Sequence, residues 1–582
     1  MNQDHKFRPI TRRVLLQASA VSAGLAISGT RWPDIAGATS GDAAVSISRL
    51  GAPELPENAA PQDQQILRVM GREGRYLDWS KSVQQRQFES ALITEPLVRR
   101  NENYELEPAG AESWDVSDDS LTWTFHLRPG MVWSDGTPVT AEDYAYTVRR
   151  MADPETAFDV GFYYGPIKGF TAAIEGTAPV EDIGVEAIDD LTLAITTEQP
   201  TPFLGLIAAD IYVVPKHIVE EHGDNWSLDP ATAISSGPFL LETWDKGRQV
   251  TFVNNPDYNG PWAAHWQQIV YLIGADEAVF PAYENGEIDL IERGYEQVIS
   301  PADQARIESD PELSAQLHTF PQFQTWWLAF GDEGTAFSDL KVRQAFAQAV
   351  DRDAIINSVL RGQAVAAYGL LAPGFHSSNP EAAKAAAYPY DPEAARDLLA
   401  EAGYGEGGEP FPTYDLTLRD PSPTVQTVAQ AIQAMLKENL GIDVGIQSLE
   451  RKTFTEQLNA HELPFVLIPW DMDYYDASNF MDVFVSGGRH AWSNEEYDAL
   501  VKEADGIVGD EAKRAELYQQ AEAILIEDVG GVFLWHPIFT QLWKPYIEGS
   551  CLHGNSYGIL SWQAPEKGPQ YFCTYFTNEK PA

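Results

Sequence analysis

Cysteine is nearly absent: two residues in 582, Cys551 and Cys573, both close to the C-terminus. So few thiols exclude a disulfide-built scaffold and an iron–sulfur or Cys-rich zinc site. They leave two readings, one disulfide closing the tail or two separate buried thiols, because spacing alone does not set the geometry. Basic residues are scarce as well. Against 86 Asp and Glu stand only 39 Lys and Arg, a formal charge of −47. Nucleic acid is thereby excluded as a partner, since neutralising phosphates needs clustered Lys and Arg. The acidity itself describes a solvated surface rather than a ligand. No stretch reaches the roughly 18 uninterrupted apolar residues of a membrane span.

Metal and nucleophile motifs are missing too. His217 and His222, in HIVEEH, are five apart and do not share a helical face. No G-x-S-x-G occurs. GYGEGG at 403–408 follows a helical pattern, not a strand, so its glycines read as a loop and not a phosphate cradle. No cofactor is expected.

What is present starts with an export segment. Lys6, Arg8, Arg12 and Arg13 precede a mild apolar run from Val14 to Gly29, and Ala36-Gly37-Ala38 offers a cleavage site. The core TRRVLLQ is similar to the twin-arginine signal, which addresses folded proteins for export. Residues 1–38 are therefore expected to leave, without a lipidated Cys, giving a periplasmic protein. Residues 39–61 form an N-terminal arm, part of a leader without periodicity that reaches to residue 65, and regular structure is expected from Ile66.

A chain of this length predicts several packing units of mixed α/β type. In LTWTFHLRPG (121–130), Trp123, Phe125 and Leu127 alternate with polar residues before a Pro-Gly turn, predicting a strand with one buried face. In TAEDYAYTVRRM (140–151), Ala141, Tyr144, Ala145 and Val148 fall at helical spacing, with Thr140 as N-cap and Asp143 three residues on. SDLKVRQAFAQAVDRDAI (338–355) carries a helical stripe behind a Ser338/Asp339 cap. TVQTVAQAIQAMLKENLGIDVGI (424–446) predicts a helix stopped at Gly441, then a strand through Ile442, Val444 and Ile446. Helix feeding strand suggests βαβ wiring.

The order and wording of these segments resemble the extracytoplasmic substrate-binding proteins of oligopeptide-type ABC importers, solute-binding protein family 5. The block from Glu89 to Met151 carries the resemblance most fully, with AESW at 111–114, the F-x-L-R-x-G strand end and DGTPVTAED. SSGPFLLETWDKGRQVTFVNNPDY (235–258), AYENGEIDLI (282–291), the helix 337–355 and YDPEAARDLLAEAGY (390–404) follow in the family's order. The resemblance covers about residues 66–548 and implies a two-lobed α/β periplasmic binding protein, type II, cluster C, with an inserted domain. Domain I would comprise 62–102, 229–323 and 542–582, the inserted domain II 103–228, and domain III, the opposite lobe, 324–541. A monomer that docks on inner-membrane ABC permease subunits is implied, and no catalysis, with a periplasmic hydrolase and a receptor-coupled sensor as alternatives.

The stretch PWDMDYYD (469–476) sets Asp471, Asp473 and Asp476 among Trp470, Tyr474 and Tyr475. It lacks the mid-loop Gly and the bidentate Glu of a calcium loop. In peptide-binding relatives a W-x-x-D phrase here holds the ligand's α-ammonium, and the resemblance assigns that role to Trp470 and Asp473, with Tyr474 beside them. Asp471 and Asp476 read as solvated loop acids. The arginine that tripeptide binders carry just upstream is replaced by apolar residues around Leu467, so the clasp says "amine or polar ligand" more firmly than "peptide". Trp326 and Trp327, in FQTWWLAF, are further ligand-contact candidates, with sugar or an opine-like conjugate as the alternative ligand class. Adjacent strand residues face opposite ways, so at least one of the two belongs to the core.

Overall fold

A computed structural model describes residues 54–82, 85–101, 105–291, 299–331, 334–405, 407–553 and 572–580. The export segment lies outside the described residues.

Three sheets organise the chain. A four-stranded sheet runs in the order Ile66–Gly71, Gln268–Ile273, Gln249–Asn254, Phe239–Asp245, its first pair parallel. A second, antiparallel throughout, runs Ala111–Val116, Thr122–Leu127, Thr192–Thr196, Val185–Asp189. The third has eight strands. Its spine is the 12-residue strand Val532–Trp543, which pairs through one half with Leu290–Ile291 and Leu317–Pro321, and through the other with Gln324–Phe330 and Ala364–Ala366. One continuous strand thus ties the core around Trp266 and Phe252 to the cores on either face of Gln324–Phe330.

Local physics explains the elements. In Thr122–Leu127 the inward residues Trp123, Phe125 and Leu127 are buried, as the alternation predicts. The helix Ala141–Ala152 opens on a capping box: the Thr140 side chain accepts from the backbone of Asp143, whose carboxylate accepts from the Thr140 backbone. The helix Pro423–Leu440 ends where Gly441 adopts φ 71°, a left-handed conformation that costs glycine little. The following strand forms at Gly445–Leu449, later than the alternation suggests, and lies parallel to Asp415–Arg419, which completes a βαβ unit. The helix expected over 338–355 is shorter. It spans Leu340–Ala349 and breaks because Asp351 turns to cap a new turn, accepting from Ala354 N–H. Gly237 is required by close approach: a Cβ there would sit 2.6 Å from the Leu92 carbonyl oxygen.

The described end of the arm, residues 54–61, is better anchored than its composition suggests. Ala60 is fully buried and its N–H donates to Phe576 O at 2.7 Å, while the Gln65 amide donates to Ala60 O and Phe576 O, both at 2.9 Å. The C-terminal strand Thr574–Phe576 supplies what local periodicity lacks. Cys573, one residue before it, is disulfide-bonded, and Cys551 is the chain's other cysteine.

A buried acid makes one core pH-sensitive. Burial pushes the Glu522 carboxyl up to about 7, against the opposing hydrogen bonds from Leu371 and Leu370 N–H. Because the folded value is raised, the neutral acid is the form the fold favours. The associated stability is complete below the unfolded value and is lost as pH rises through about 7. Glu522→Gln is therefore expected to raise stability at pH 8 by up to about 3 kcal/mol and to change little at pH 4, as read by urea unfolding at both pH values.

Candidate functional site

The strand Phe465–Asp471 pairs antiparallel with Gln324–Phe330, setting Pro469 opposite Trp326 and Asp471 opposite Gln324. Pairing stops there, and the chain turns through residues 472–477 into the short helix Ser478–Met481. The three acids leave this turn in three directions. Asp471 accepts from the Gln322 and Gln324 amides at 2.9 and 2.6 Å. Asp476 is buried and takes a two-pronged contact from Arg514, 2.7 and 2.8 Å, with Ser478 N–H and hydroxyl donating to the same carboxylate. Burial raises its pKa, but the Arg514 charge and hydrogen bonds outweigh this and hold the carboxyl at about 2. Asp473 reaches farthest along the chain: one oxygen accepts from the Asn479 amide at 2.9 Å and the other from the Tyr163 hydroxyl.

Tyr163 lies 310 residues away, within the segment expected as an inserted domain. Its neighbours continue the contact. Phe162 approaches Trp470 with ring centroids 6.1 Å apart, and Phe203 stacks on Tyr474 at 5.2 Å and 9°. Tyr474 thereby joins the core cluster built around Trp133 and Phe125. Phe162 remains the most exposed large hydrophobic residue among those described, at 58%. Two lobes meet at this seam, and Trp470, Asp473 and Tyr474 form one of its walls. Tyr163→Phe is expected to leave the melting temperature within a few degrees and to shift the unliganded protein toward separated lobes, measured as a larger radius of gyration by X-ray scattering.

Two arginines join this wall without a signal in its sequence. Arg489 places its guanidinium carbon 5.2 Å over the Trp470 ring. Burial pulls its pKa down to about 10, with Asp473 and Tyr163 opposing the shift. Arg419, at the end of the strand beside Phe465–Asp471, is likewise drawn to about 10 by burial and by the like charges of Arg451 and Arg489. Nε of Arg489 and Nε1 of Trp470 are buried with no hydrogen-bond partner among the described residues. Sequence spacing could not reveal them, because sheet pairing and a loop bring them together.

The other candidates lie in the sheet. Trp327 is fully buried, packed against Phe484, His490 and Phe533, and its ring is a core element with no face for a ligand. This corrects its place among the ligand contacts: alternation along the strand turned it inward. Trp326 is half-buried, stacked on Trp535 at 5.0 Å, and its Nε1 donates to Gln324 Oε1 at 2.8 Å. His217 Nε2 contacts Asp135 at 2.9 Å. Gly403, Gly405 and Gly407 shape a loop after the helix Pro392–Glu401.

Against known proteins, residues 105–492 match the family model described as bacterial extracellular solute-binding proteins, family 5 Middle. The chain is 31% identical to the probable deoxycholate-binding periplasmic protein YgiS of Escherichia coli over 535 residues, 88% of this chain and 95% of the relative. It is equally 31% identical to the periplasmic oligopeptide-binding protein OppA of Salmonella typhimurium, over 87% of this chain and 93% of the relative. Among solved structures, the E. coli murein tripeptide binding protein MppA superposes with a TM-score of 0.67 at 26% identity, covering 88% of this chain and 99% of that one. The Haemophilus influenzae OppA gives 0.68 at 24%, covering 89% and 99%. These likenesses fix the fold as the two-lobed α/β binding-protein fold.

Proposed function

The chain belongs to the bacterial extracellular solute-binding proteins of family 5, and from that premise we propose that it captures a peptide or peptide-like ligand between its lobes and delivers it to an ABC transporter. The seam carries this reading: Trp470, Asp473 and Tyr474 on one side meet Phe162, Tyr163 and Phe203 on the other. Apolar rings with a few convergent polar groups are what a small-molecule site between lobes requires.

The division into domain I (62–102, 229–323, 542–582), inserted domain II (103–228) and domain III (324–541) draws support from the grouping of the cores, with Trp79, Leu97 and Val98 of the first segment packing into the core of the second. Trp123 and Tyr144 cluster within the second segment, Val69 and Phe252 within the first, and Val466 and Val342 within the third. Export through the twin-arginine route rests on Arg12 and Arg13, and a periplasmic site of action accords with the relatives named periplasmic. No helix among the described residues is long and apolar enough to cross a membrane. The protein acts as a binder and not as an enzyme.

Calorimetric titration with peptide and oligosaccharide pools tests the ligand class, and mass spectrometry of co-purified ligand names it. Stoichiometric peptide binding with the peptide recovered unchanged is expected. Turnover of the peptide, or binding of sugar alone, would contradict the proposal.

A further inference from the structure

Behind the acid-rich turn, carboxyl groups outnumber the cations that face them. Asp482 directly follows the short helix Ser478–Met481, and its carboxyl is hydrogen-bonded to that of Asp505, the last residue of the helix Glu495–Asp505. Tyr497 of the same helix donates to Met481 O at 2.5 Å, a second bond between the two elements. From the helix Glu511–Glu527, the Tyr518 hydroxyl donates to Asp505 at 2.5 Å and accepts from Arg514 at 3.2 Å. Arg514, the cation that acts on Asp505, is committed to Asp476 by two hydrogen bonds and shared with Glu511, which faces His376 at 3.0 Å. The other acids of these two helices that point inward are engaged by backbone: Asp498 accepts from Ser486 N–H and Glu522 from Leu371 N–H.

Two carboxyl groups hydrogen-bond only while a proton lies between them. Loss of hydration against the surrounding protein, then the Asp505 and Asp476 charges, push the Asp482 carboxyl well up, so the pair keeps that proton beyond the ordinary carboxylate range. Asp482 keeps an exposed edge, through which the proton exchanges with solvent. The pair also reaches the seam. Asp482 is the strongest charge acting on Tyr474, whose hydroxyl meets Ser478 Oγ at 3.2 Å and whose ring stacks on Phe203 across the seam. Ser478 in turn donates to Asp476, the carboxylate that holds Arg514. A second negative charge on the pair would drive Asp482 and the helix it follows away from Asp505, and would draw Arg514 from Asp476 toward Asp505. Both displacements start in the segment that holds Tyr474 against Phe203. Resting on the seam as the ligand site, we propose that the Asp482–Asp505 pair is a proton-operated latch: one shared proton keeps the lobes together, and its loss to solvent separates them. The joined form binds that proton more tightly, so it is favoured at lower pH and lost as pH rises, and ligand held at the seam is released in the same direction.

X-ray scattering on the full mature protein across the range from slightly acidic to alkaline pH tests the latch without a ligand. Glu522 titrates near 7 in the neighbouring core, and working in Glu522→Gln removes it from the comparison. In that protein the radius of gyration is expected to rise with pH by roughly 1 Å on a value of about 25 Å. Adding Asp482→Asn supplies Asp505 with a permanent donor, and the radius is expected to stay constant over the same range. A constant radius in Glu522→Gln alone, or an equal rise with Asp482→Asn added, overturns the inference. Should Asp482→Asn fail to fold, Asp505→Asn takes its place, the new amide donating to Asp482 while its carbonyl keeps the Tyr518 bond. Calorimetric titration with a random-sequence tripeptide pool at the acidic end tests the ligand reading separately. No binding there, with the scattering change present, contradicts peptide capture and supports the latch. Binding with no scattering change overturns the latch and leaves peptide capture standing.

Discussion

Asp476→Ala is expected to cost about 3–5 kcal/mol of unfolding free energy, the largest effect of any single change in the binding turn. Removing this carboxylate takes the two-pronged partner from the Arg514 guanidinium, which is 2% exposed and otherwise donates to Ala504 O and Tyr518 Oη, both neutral acceptors. Glu511, at 3.1 Å from Nη1, is itself partly solvated, and Asp505 acts through the Tyr518 hydroxyl, so the two offset only part of the loss. The same pair predicts an acid-labile fold. With its native value near 2, below the unfolded range, Asp476 contributes roughly 2 kcal/mol that is complete above pH 4 and disappears as pH falls toward 2. Urea unfolding at pH 7 and pH 3 checks both statements. Equal destabilisation of wild type and variant on acidification would show that the pair does not carry this stability.

Trp470→Ala is expected to weaken ligand binding by tenfold or more while leaving the fold within about 1 kcal/mol of wild type. The ring is half-buried, lies under Arg489 and faces Phe162, so its removal opens the seam wall without emptying the core. Trp327→Ala makes the opposite prediction. Its ring is fully buried against Phe484 and Phe533, and truncation should cost about 3–5 kcal/mol of stability. Calorimetric titration and chemical unfolding on both variants separate the two tryptophan roles. Equal effects on binding would contradict the assignment of Trp327 to the core.

These two tryptophans also mark how far the sequence carries. Alternation along FQTWWLAF requires one of them to face inward, but choosing which needs the pairing of Trp326 with Pro469 and Trp327 with Ile468. Elements governed by neighbours in the chain were readable: the buried face of Thr122–Leu127, the capping box at Thr140, the stop at Gly441. The ordering of family phrases carried the architecture. Contacts closed over long separations were not readable. Tyr163 reaches Asp473 across 310 residues, and Gln65 reaches Phe576 across 511, with no periodicity to announce either. Arg419 and Arg489 flank the acid-rich turn from different elements, so the turn's own wording shows its acids and hides the cations that meet them. The shortening of the helix at Leu340–Ala349 has a similar cause, since Asp351 competes for the backbone as a cap where the apolar stripe would continue the helix.

The central claim is capture between two lobes that meet at Trp470, Asp473 and Tyr474. Distance distributions between fluorophores on Glu181→Cys and Lys452→Cys test it most directly. Both sites are exposed on opposite lobes, and the disulfide at Cys573 leaves the introduced thiols free to label selectively. Saturating ligand should collapse the distribution to one short distance in the parent protein, with a markedly weaker response in Trp470→Ala. Stoichiometric binding that leaves the distribution unchanged would contradict capture at this seam.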